Sequence, residues 1–370
     1  MKNIINYVKN YGSKSFDEVG LNDIDFLVFS SLSYVPFNNI FLDSAKYSLG
    51  QLHKMFFSNT SDKENKNNII ALRKSIELFN LVGSSKRYSD IKLYNYEYIY
   101  SDDTQFCALM LELSKNLIFV SFEGTDQLIS GWEEDFKLSY KFPVPAQKYA
   151  ISYLNRHCSF NFSKIILGGH SKGGNLALVA SMYCHFWIRS RIIKVINFDG
   201  PGLLLKQLKS RKYKKIYDRY YHIIPSFSLI GLVLYHSDNY YVVDTYEKSI
   251  FAHDFMTWKI EDTNFKFTKL SYFSKTFSLA VLKWLEGYSD LEKEKFVTSL
   301  FDVCRRAGID DLLDIKSDML GGILSIVKET KNIDGKTSEM IKEFFSFVFD
   351  YFKDDLKMNF DKKIKSIINK

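Results

Sequence analysis

The stretch KIILGGHSKGGNLAL, residues 164–178, joins an apolar run typical of a buried strand to a run typical of a helix. Between them lies the pentapeptide Gly169-His170-Ser171-Lys172-Gly173, which has the Gly-x-Ser-x-Gly pattern of a nucleophile elbow. In such an elbow a sharp turn lifts the serine hydroxyl above the sheet edge, and the glycines avoid collisions with the neighbouring strand and helix. The sequence therefore predicts that Ser171 is a nucleophile.

Strand-like and helix-like runs alternate around this elbow. Two β-prone runs, 105–111 and 116–122, predict a hairpin before it. The remaining predictions are a helix over 147–158, a strand over 164–167, a helix over 176–188, strands over 192–198 and 220–224, and a strand-like run at 240–244. This alternation predicts an α/β fold with a mainly parallel central sheet, preceded by a helical segment that includes a packing helix over 24–32.

Composition narrows the class of protein. The chain has 370 residues, of which 46% are hydrophobic and 25% charged, as in a soluble globular protein with a sizeable core. No window resembles a membrane-spanning helix or a signal peptide, so we expect a cytoplasmic protein. The four cysteines lie far apart and predict core thiols rather than a zinc site or disulfides. We expect no cofactor and no metal.

The net charge is +7, but no nucleic-acid-binding motif accompanies it, so no nucleic-acid partner is expected. Basic residues crowd the segment Lys206–Arg219, where Asp218 is the single acidic residue. This segment is interpreted either as a solvated helix face or as a peripheral contact with an anionic membrane surface or an anionic substrate.

A serine nucleophile needs a histidine base and an acid, which follow it in the order Ser, acid, His in the α/β-hydrolase arrangement. Of the later histidines, His222 lies within a predicted strand, whereas His253 lies in a loop beyond the last one, and we favour His253. Asp199 ends the strand over 192–198, at the sheet edge where active-site groups collect, and is the preferred acid. Its alternative interpretation is a turn residue that binds local backbone N–H groups.

Two backbone N–H groups are needed to hold an oxyanion, and one normally follows the nucleophile, which here is Lys172. Thr125, in the turn 123–126 that ends a strand, offers a second N–H and a hydroxyl. An ordinary strand-ending turn is the alternative.

Together these motifs resemble a known group of proteins. The segments 122–126 and 131–136, followed by the elbow, are similar to the pattern of class 3 (fungal-type) lipases. A closer resemblance is to the bacterial Mbeg-like family, which is of uncharacterised function and related to those lipases. The matching elements are the elbow through Asn175, the run 197–202, the run 230–234 and the stretch 252–258 with His253 and Trp258.

The resemblance implies an α/β-hydrolase fold in which Ser171 is the nucleophile, His253 the base, and Thr125 and Lys172 the oxyanion donors. Class 3 lipases carry their acid after the strand that corresponds to 220–224, but here Pro225-Ser226-Phe227-Ser228 contains no carboxylate. Either Asp199 supplies the acid from the preceding strand, or Ser228 hydrogen-bonds His253 in a weakened dyad.

The chain is therefore expected to be a serine esterase that cleaves lipid or acyl esters through an acyl-enzyme at Ser171. Two alternatives stay open: a catalytically idle scaffold that binds a lipid or protein partner, and an acyltransferase that uses the same residues. Amphipathic helical pattern replaces strand alternation near residue 280, so we expect a hydrolase domain over 1–280 and a helical region over 281–370. In that region Ser289 and Glu292 form a capping box, Gly308 is expected to end the helix, and an apolar stripe from Met340 to Phe352 is expected to dock onto the main domain.

Overall fold

In the computed structural model the chain divides into two compact units. The first comprises Met1–Asp126 and Lys141–Leu285, and the second comprises Gln127–Tyr140 and Glu286–Lys370. The domain boundary expected after residue 280 stays a prediction. The structure describes residues 2–40, 45–59, 70–101, 104–125, 129–306, 333–344 and 346.

The first unit is built on a sheet whose strands follow one another in chain order. Its strands are β1 (Tyr47–Ser48), β2 (Lys92–Ser101), β3 (Thr104–Ser114), β4 (Leu117–Phe122), β5 (Lys164–His170), β6 (Ile192–Phe198), β7 (Tyr220–Pro225) and β8 (Tyr240–Val243). Neighbours from β1 to β4 run antiparallel, and neighbours from β4 to β8 run parallel. A separate antiparallel pair consists of β9 (Ile260–Glu261) and β10 (Asn264–Phe265). The carboxyl ends of β4 to β8 therefore share one edge of the sheet.

Helices cover both faces of this sheet, which is the α/β architecture expected from the sequence. The helices of the first unit are α1 (Ile4–Tyr11), α2 (Asp23–Ser31), α3 (Leu49–Asn59), α4 (Ile70–Gly83), α6 (Pro145–Cys158), α7 (Lys172–Tyr183), α8 (Phe186–Arg189), α9 (Leu205–Leu208), α10 (Arg211–Lys214) and α11 (Tyr272–Glu286). In the second unit lie α5 (Ile129–Lys137), α12 (Asp290–Arg306) and a helix over 335–344, here called α13. Among the described helices, none combines the length and apolar composition needed to cross a membrane.

Alternation along the strands creates two cores, because successive side chains point to opposite faces. Phe119 and Ile166 face α1 to α4, and Phe26 of α2 stacks on Phe119 with ring centres 5.8 Å apart. Val120 and Leu167 face the other side and pack with α6 and α7. The elbow thus projects from a strand that is buried on both faces.

Most predicted elements are confirmed with small shifts. The hairpin is β3 and β4, and the strands over 192–198 and 220–224 are β6 and β7. The helix predicted over 176–188 begins earlier, at Lys172, and is interrupted after Tyr183 before α8 begins. The four cysteines are free and buried, as predicted.

Within the second unit, aromatic side chains join three helices. Phe136 of α5 lies 5.4 Å from Phe301 of α12 and 5.6 Å from Phe344 of α13, ring centre to ring centre. The capping box of α12 is present, since the backbone N–H groups of Ser289 and Glu292 each donate to the other residue's side chain. Met340 and Ile341 of the apolar stripe are buried. Of its other members, Phe344 is described above, whereas Phe345, Val348, Tyr351 and Phe352 lie outside the described residues, as does Gly308. The expected docking of the stripe onto the main domain stays a prediction.

Candidate active site

Ser171 occupies the turn between β5 and α7, with φ 57° and ψ −135°. Its backbone N–H donates to the carbonyl of Phe198 at 2.9 Å, which ties the turn to β6. A Cβ on Gly169 would lie 2.4 Å from the backbone of Gly173, and a Cβ on Gly173 would lie 2.1 Å from the carbonyl oxygen of Phe122. Only glycine fits these two positions, so the elbow predicted from the sequence has the required geometry.

Asp199 lies one residue beyond β6, at the same edge of the sheet as Ser171. Its backbone adopts φ 51°, and its side chain is fully buried. The Oδ1 atom accepts hydrogen bonds from Ser228 Oγ at 2.5 Å and from the backbone N–H of Gly231 at 3.1 Å. Burial raises the pKa of Asp199 above its usual value of 3.8, and the hydrogen bond and charge of His253 oppose that shift.

His253 ends a short 3₁₀ helix, Ile250–His253, that follows β8. Its Nδ1 lies 2.7 Å from the Oδ2 atom of Asp199. Because an ionised carboxylate only accepts hydrogen bonds, Nδ1 carries the proton that it donates to Asp199. In a neutral ring this leaves Nε2 able to accept a proton, and the imidazole is 21% exposed. The structure therefore brings together the predicted base and the predicted acid.

Ser228 does not take the role considered for it in a dyad. Its hydroxyl donates to Asp199 rather than to His253, so Ser228 supports the predicted acid and the carboxylate alone contacts the predicted base. The loop after β7, where the resemblance to class 3 lipases would place an acid, instead supplies the hydroxyl and the N–H that hold an acid carried by β6. The sequence alone left this choice open because Asp199 and His253 lie 54 positions apart.

His170, which lies inside the elbow, contacts the segment that carries the base. Its Nε2 lies 2.8 Å from the carbonyl oxygen of His253, and its Nδ1 lies 3.0 Å from the hydroxyl of Tyr34. A carbonyl can only accept, so Nε2 donates and Tyr34 in turn donates to Nδ1. Burial, with His253 beside it, lowers the pKa of His170 well below its usual value of 6.5. His170 is thus a neutral bridge from Tyr34 to the backbone of His253, a role that its sequence position did not reveal.

The two candidate oxyanion donors flank Ser171. Lys172 is the first residue of α7, and its buried side chain donates from Nζ to the carbonyl of Gln105 at 3.1 Å. Thr125 follows Gly124, where a Cβ would lie 2.9 Å from Ser171 Cβ and 2.6 Å from the carbonyl oxygen of His170. Thr125 therefore adjoins the elbow, and the oxyanion role of both residues stays a prediction. Asp126, the last residue of that motif, lies outside the described residues.

Asn175, one turn into α7, fixes the loop that follows Asp199. Its Nδ2 donates to the carbonyl of Gly202 at 2.7 Å and to that of Pro201 at 3.2 Å. Its Oδ1 accepts a hydrogen bond from Gln147 of α6 at 2.8 Å. Sequence reasoning did not single out this role. The sequence feature that could have revealed it is an asparagine two residues after Gly173, on a helix face that is otherwise apolar.

The other sequence candidates lie elsewhere. His222 is buried within β7, as expected of a packing residue, and its ring lies 6.2 Å from that of His236. In the segment Lys206–Arg219, α9 and α10 expose most of the basic side chains, whereas the guanidinium of Arg219 donates to the carbonyl of Ile192 at 2.6 Å.

Comparison with known proteins places this fold and site in context. The Mbeg1-like family model matches residues 82–302, which include the elbow, Asp199 and His253. Among solved structures, the chain is similar to M37 lipase, with 16% identity, a TM-score of 0.33 and coverage of 56% of this chain and 68% of that one. It is also similar to the propeptide complex of Rhizomucor miehei lipase, with 12% identity, a TM-score of 0.35 and coverage of 65% and 68%. No curated protein matches the chain.

Proposed function

This chain belongs to the Mbeg1-like family, and we propose that it is a serine hydrolase that cleaves lipid or acyl esters through an acyl-enzyme at Ser171. The observation that carries the proposal is the hydrogen bond from His253 Nδ1 to the buried carboxylate of Asp199, at the sheet edge that also bears the strained serine. A base held in one tautomer by a carboxylate is the arrangement that activates a serine.

In the proposed mechanism, Nε2 of His253 accepts the Ser171 proton while Oγ attacks the ester carbonyl carbon. The negative charge that develops on the carbonyl oxygen is bound by the N–H of Lys172 and by Thr125. Collapse of this intermediate breaks the bond to the alcohol, which takes the proton back from His253 and leaves an ester on Ser171. Water then gives a proton to His253 as its oxygen attacks the acyl carbon; the bond to Ser171 Oγ breaks, Oγ takes the proton back from His253, and the acid is released. Asp199 stabilises the imidazolium in both steps.

A fluorophosphonate that phosphonylates activated serines tests the proposal directly. We expect wild type to be labelled, with loss of labelling in Ser171→Ala and a fall of about 10⁴-fold or more in hydrolysis of p-nitrophenyl esters. Ser181→Ala is the matched control, because Ser181 lies in the same helix and bonds only locally, to the carbonyl of Leu178. Equal labelling of wild type and Ser171→Ala would contradict the proposal.

The idle-scaffold alternative rested on the missing carboxylate after Ile224. The carboxylate of Asp199 lies within hydrogen-bond distance of His253 instead, which favours an active enzyme over the scaffold. Transfer to an acceptor other than water would use the same residues, and product analysis with an added alcohol separates the two: a new ester indicates transfer and free acid indicates hydrolysis. The cytoplasmic location expected from the sequence stays a prediction.

A further inference from the structure

Positive charge is concentrated in one part of the chain. Residues 141–225 contain 15 lysines and arginines but only two acidic residues, Asp199 and Asp218, leaving 35 basic and 41 acidic residues elsewhere. Asp199 is buried, so Asp218 is the one acidic side chain that this segment adds to the surface. A chain with net charge +7 therefore carries a strongly cationic region within its first unit.

The same segment exposes several aromatic side chains, and four of them are here called the aromatic patch: Phe160, Phe162, Phe186 and Trp187. Their exposed fractions are 91%, 87%, 70% and 43%. Single exposed apolar side chains are common on protein surfaces, but a local group of large rings is typical of an interaction site.

The side chain of Arg191 links the two parts of the aromatic patch, residues 160–162 and residues 186–187. Arg191 donates from Nε to the carbonyl of Trp187 at 3.2 Å and from Nη1 to that of Ser163 at 3.3 Å. Its Nη2 donates to the carbonyl of Cys158 at 2.5 Å. The loop before β5 and the helix α8 before β6 are therefore hydrogen-bonded to the same guanidinium. These hydrogen bonds hold in place the backbone that carries the rings.

The basic helices adjoin this patch. Lys212 of α10 lies over the ring of Tyr183 at 3.9 Å, three residues before Phe186 in the chain. Arg219 donates to the carbonyl of Arg189, at the end of α8, at 3.0 Å. The aromatic patch and the basic helix α10 thus lie near the amino ends of β5, β6 and β7.

We propose that this surface docks onto an anionic lipid bilayer, with the aromatic patch inserted at headgroup level and the basic residues of Lys206–Arg219 paired with lipid phosphates. The charge distribution matches an anionic surface, and aromatic rings beside cations are the residues that membrane interfaces favour. A second copy of the chain is a poorer partner, because two strongly cationic faces repel each other. Phenylalanine rings that are almost fully exposed suit insertion better than they suit a polar partner.

The aromatic patch and α10 lie at the opposite end of the strands from Ser171. A strand rises about 3.3 Å per residue, so the seven residues of β5 separate the two edges by roughly 20 Å. The inference is therefore independent of the proposed hydrolase activity, and catalytically inactive Ser171→Ala should bind membranes as wild type does.

Flotation with lipid vesicles tests the inference. Wild type should bind vesicles that contain phosphatidylglycerol and not vesicles of phosphatidylcholine alone, and high salt should release it. The variant Lys209→Ala/Arg211→Ala/Lys215→Ala should bind roughly a hundredfold more weakly, since each surface charge contributes about fivefold. Its control, Lys9→Ala/Lys54→Ala/Lys248→Ala, removes the same charge from exposed sites elsewhere and should keep most of the binding.

The aromatic patch has its own variant. Phe160→Ser/Phe162→Ser should lower vesicle binding by about tenfold or more without lowering the thermal unfolding midpoint, because both rings are exposed. Tyr272→Ser, which alters another ring that is 85% exposed, is the control and should bind normally. Brominated lipids should quench the fluorescence of wild type and lose most of that effect in Trp187→Phe.

Several results would overturn the inference. One is equal binding to neutral and anionic vesicles, and another is unchanged binding by the aromatic variant. If the same substitutions abolish binding of single-stranded RNA while vesicle binding persists, the surface is a nucleic-acid site. If they dissociate a dimer in sedimentation and leave vesicle binding unchanged, it is a contact between copies.

Discussion

At the residue scale, Asp199, the proposed acid, has the least favourable environment of the candidate site residues. Asp199 is fully buried, adopts φ 51°, and satisfies three donors, from Ser228, Gly231 and His253. Left-handed backbone and a buried carboxylate both cost free energy, so their combination at one residue indicates selection for the site rather than for stability.

Asp199→Asn is expected to separate activity from stability. An asparagine can accept from Ser228 and Gly231 but presents an NH₂ group to His253, which forces the ring into the tautomer that cannot accept the serine proton. Acylation should fall by about 10⁴-fold, while the free energy of unfolding should stay unchanged or rise, since asparagine removes a buried charge and tolerates positive φ.

Stopped-flow acylation and urea unfolding measure the two effects. Asp238→Asn, another carboxylate that follows Ser171 in the chain, should alter neither. An acylation rate kept by Asp199→Asn would remove Asp199 from the mechanism.

The bridge through His170 gives a second prediction at this scale. Removing the donor in Tyr34→Phe should lower kcat by about tenfold and His170→Ala by about a hundredfold with little change in KM, because the base shifts while substrate contacts persist. The double variant should be no worse than His170→Ala, as expected for residues that act in one chain of hydrogen bonds.

Steady-state kinetics with one ester series checks this coupling, with Tyr241→Phe at an exposed position as the control. Effects of the two substitutions that multiply in the double variant would show that Tyr34 and His170 act separately.

At the scale of elements, the loop after β7 acts as a support for the acid. A Cβ on Gly231 would lie 2.3 Å from Asp199 Oδ1 and 2.9 Å from Ser228 Oγ. Gly231→Ala should therefore displace the carboxylate and lower the acylation rate by about 10²-fold, although residue 231 takes no chemical part. Gly20→Ala, where a Cβ meets nothing within 4 Å, is the control. Normal acylation by Gly231→Ala would show that the loop yields without moving the acid.

A buried ion pair joins the helices that cover one face of the sheet. Arg87 Nη2 lies 2.6 Å from Asp25 Oδ2, with both side chains fully buried, and the hydroxyls of Tyr7 and Tyr88 donate to the same carboxylate. These contacts connect α1 and α2 to the turn after α4. Their convergence on one carboxylate suggests that the helical layer loses its order if the cation is removed.

Arg87→Met should accordingly lower the free energy of unfolding by about 3–5 kcal/mol, because it leaves the Asp25 carboxylate buried without its counter-charge. The neighbouring Lys86 pairs with Glu18 on the surface, and Lys86→Met should cost less than about 1 kcal/mol. Urea unfolding of both variants makes the comparison, and equal costs would contradict it.

At the scale of the whole molecule, buried neutral histidines should make stability depend on pH. Burial lowers the pKa of His222 to about 3, with His236 adding to the shift, and His170 shifts in the same direction. Below pH 6.5 the unfolded chain binds protons that the folded protein does not, so stability present above that pH is lost as the pH falls.

Between about pH 6 and pH 5, each such histidine should add a slope of up to about 1.4 kcal/mol per pH unit to the free energy of unfolding. His222→Phe should remove one such contribution, and His185→Gln, at an exposed position, should remove none. Urea unfolding across this range measures the slope. An unchanged slope in His222→Phe would mean that the folded protein binds that proton.

The sequence predicts the local parts of this architecture well and the long-range parts poorly. Ser171 and the strands β4 to β7 are read from continuous apolar runs and glycine spacing. By contrast, the sequence does not predict β2, because its tyrosines and charged residues lie half exposed near the sheet edge and form no apolar run. The contact of Tyr34 with His170 spans 136 positions, and no local pattern encodes it. Site residues that act through the fold become visible only in three dimensions.

Lys2 and Asn3 contact the segment that follows His253. The carbonyl of Lys2 accepts from the backbone N–H of Ile260 at 3.0 Å, and Asn3 Nδ2 donates to the carbonyl of Met256 at 2.8 Å. On the ribosome, Asn3 can make this contact only after some 250 further residues have been synthesised, at ~5–20 residues per second. The contacts of residues 2–3 with the segment after His253 therefore form late in the synthesis of the chain.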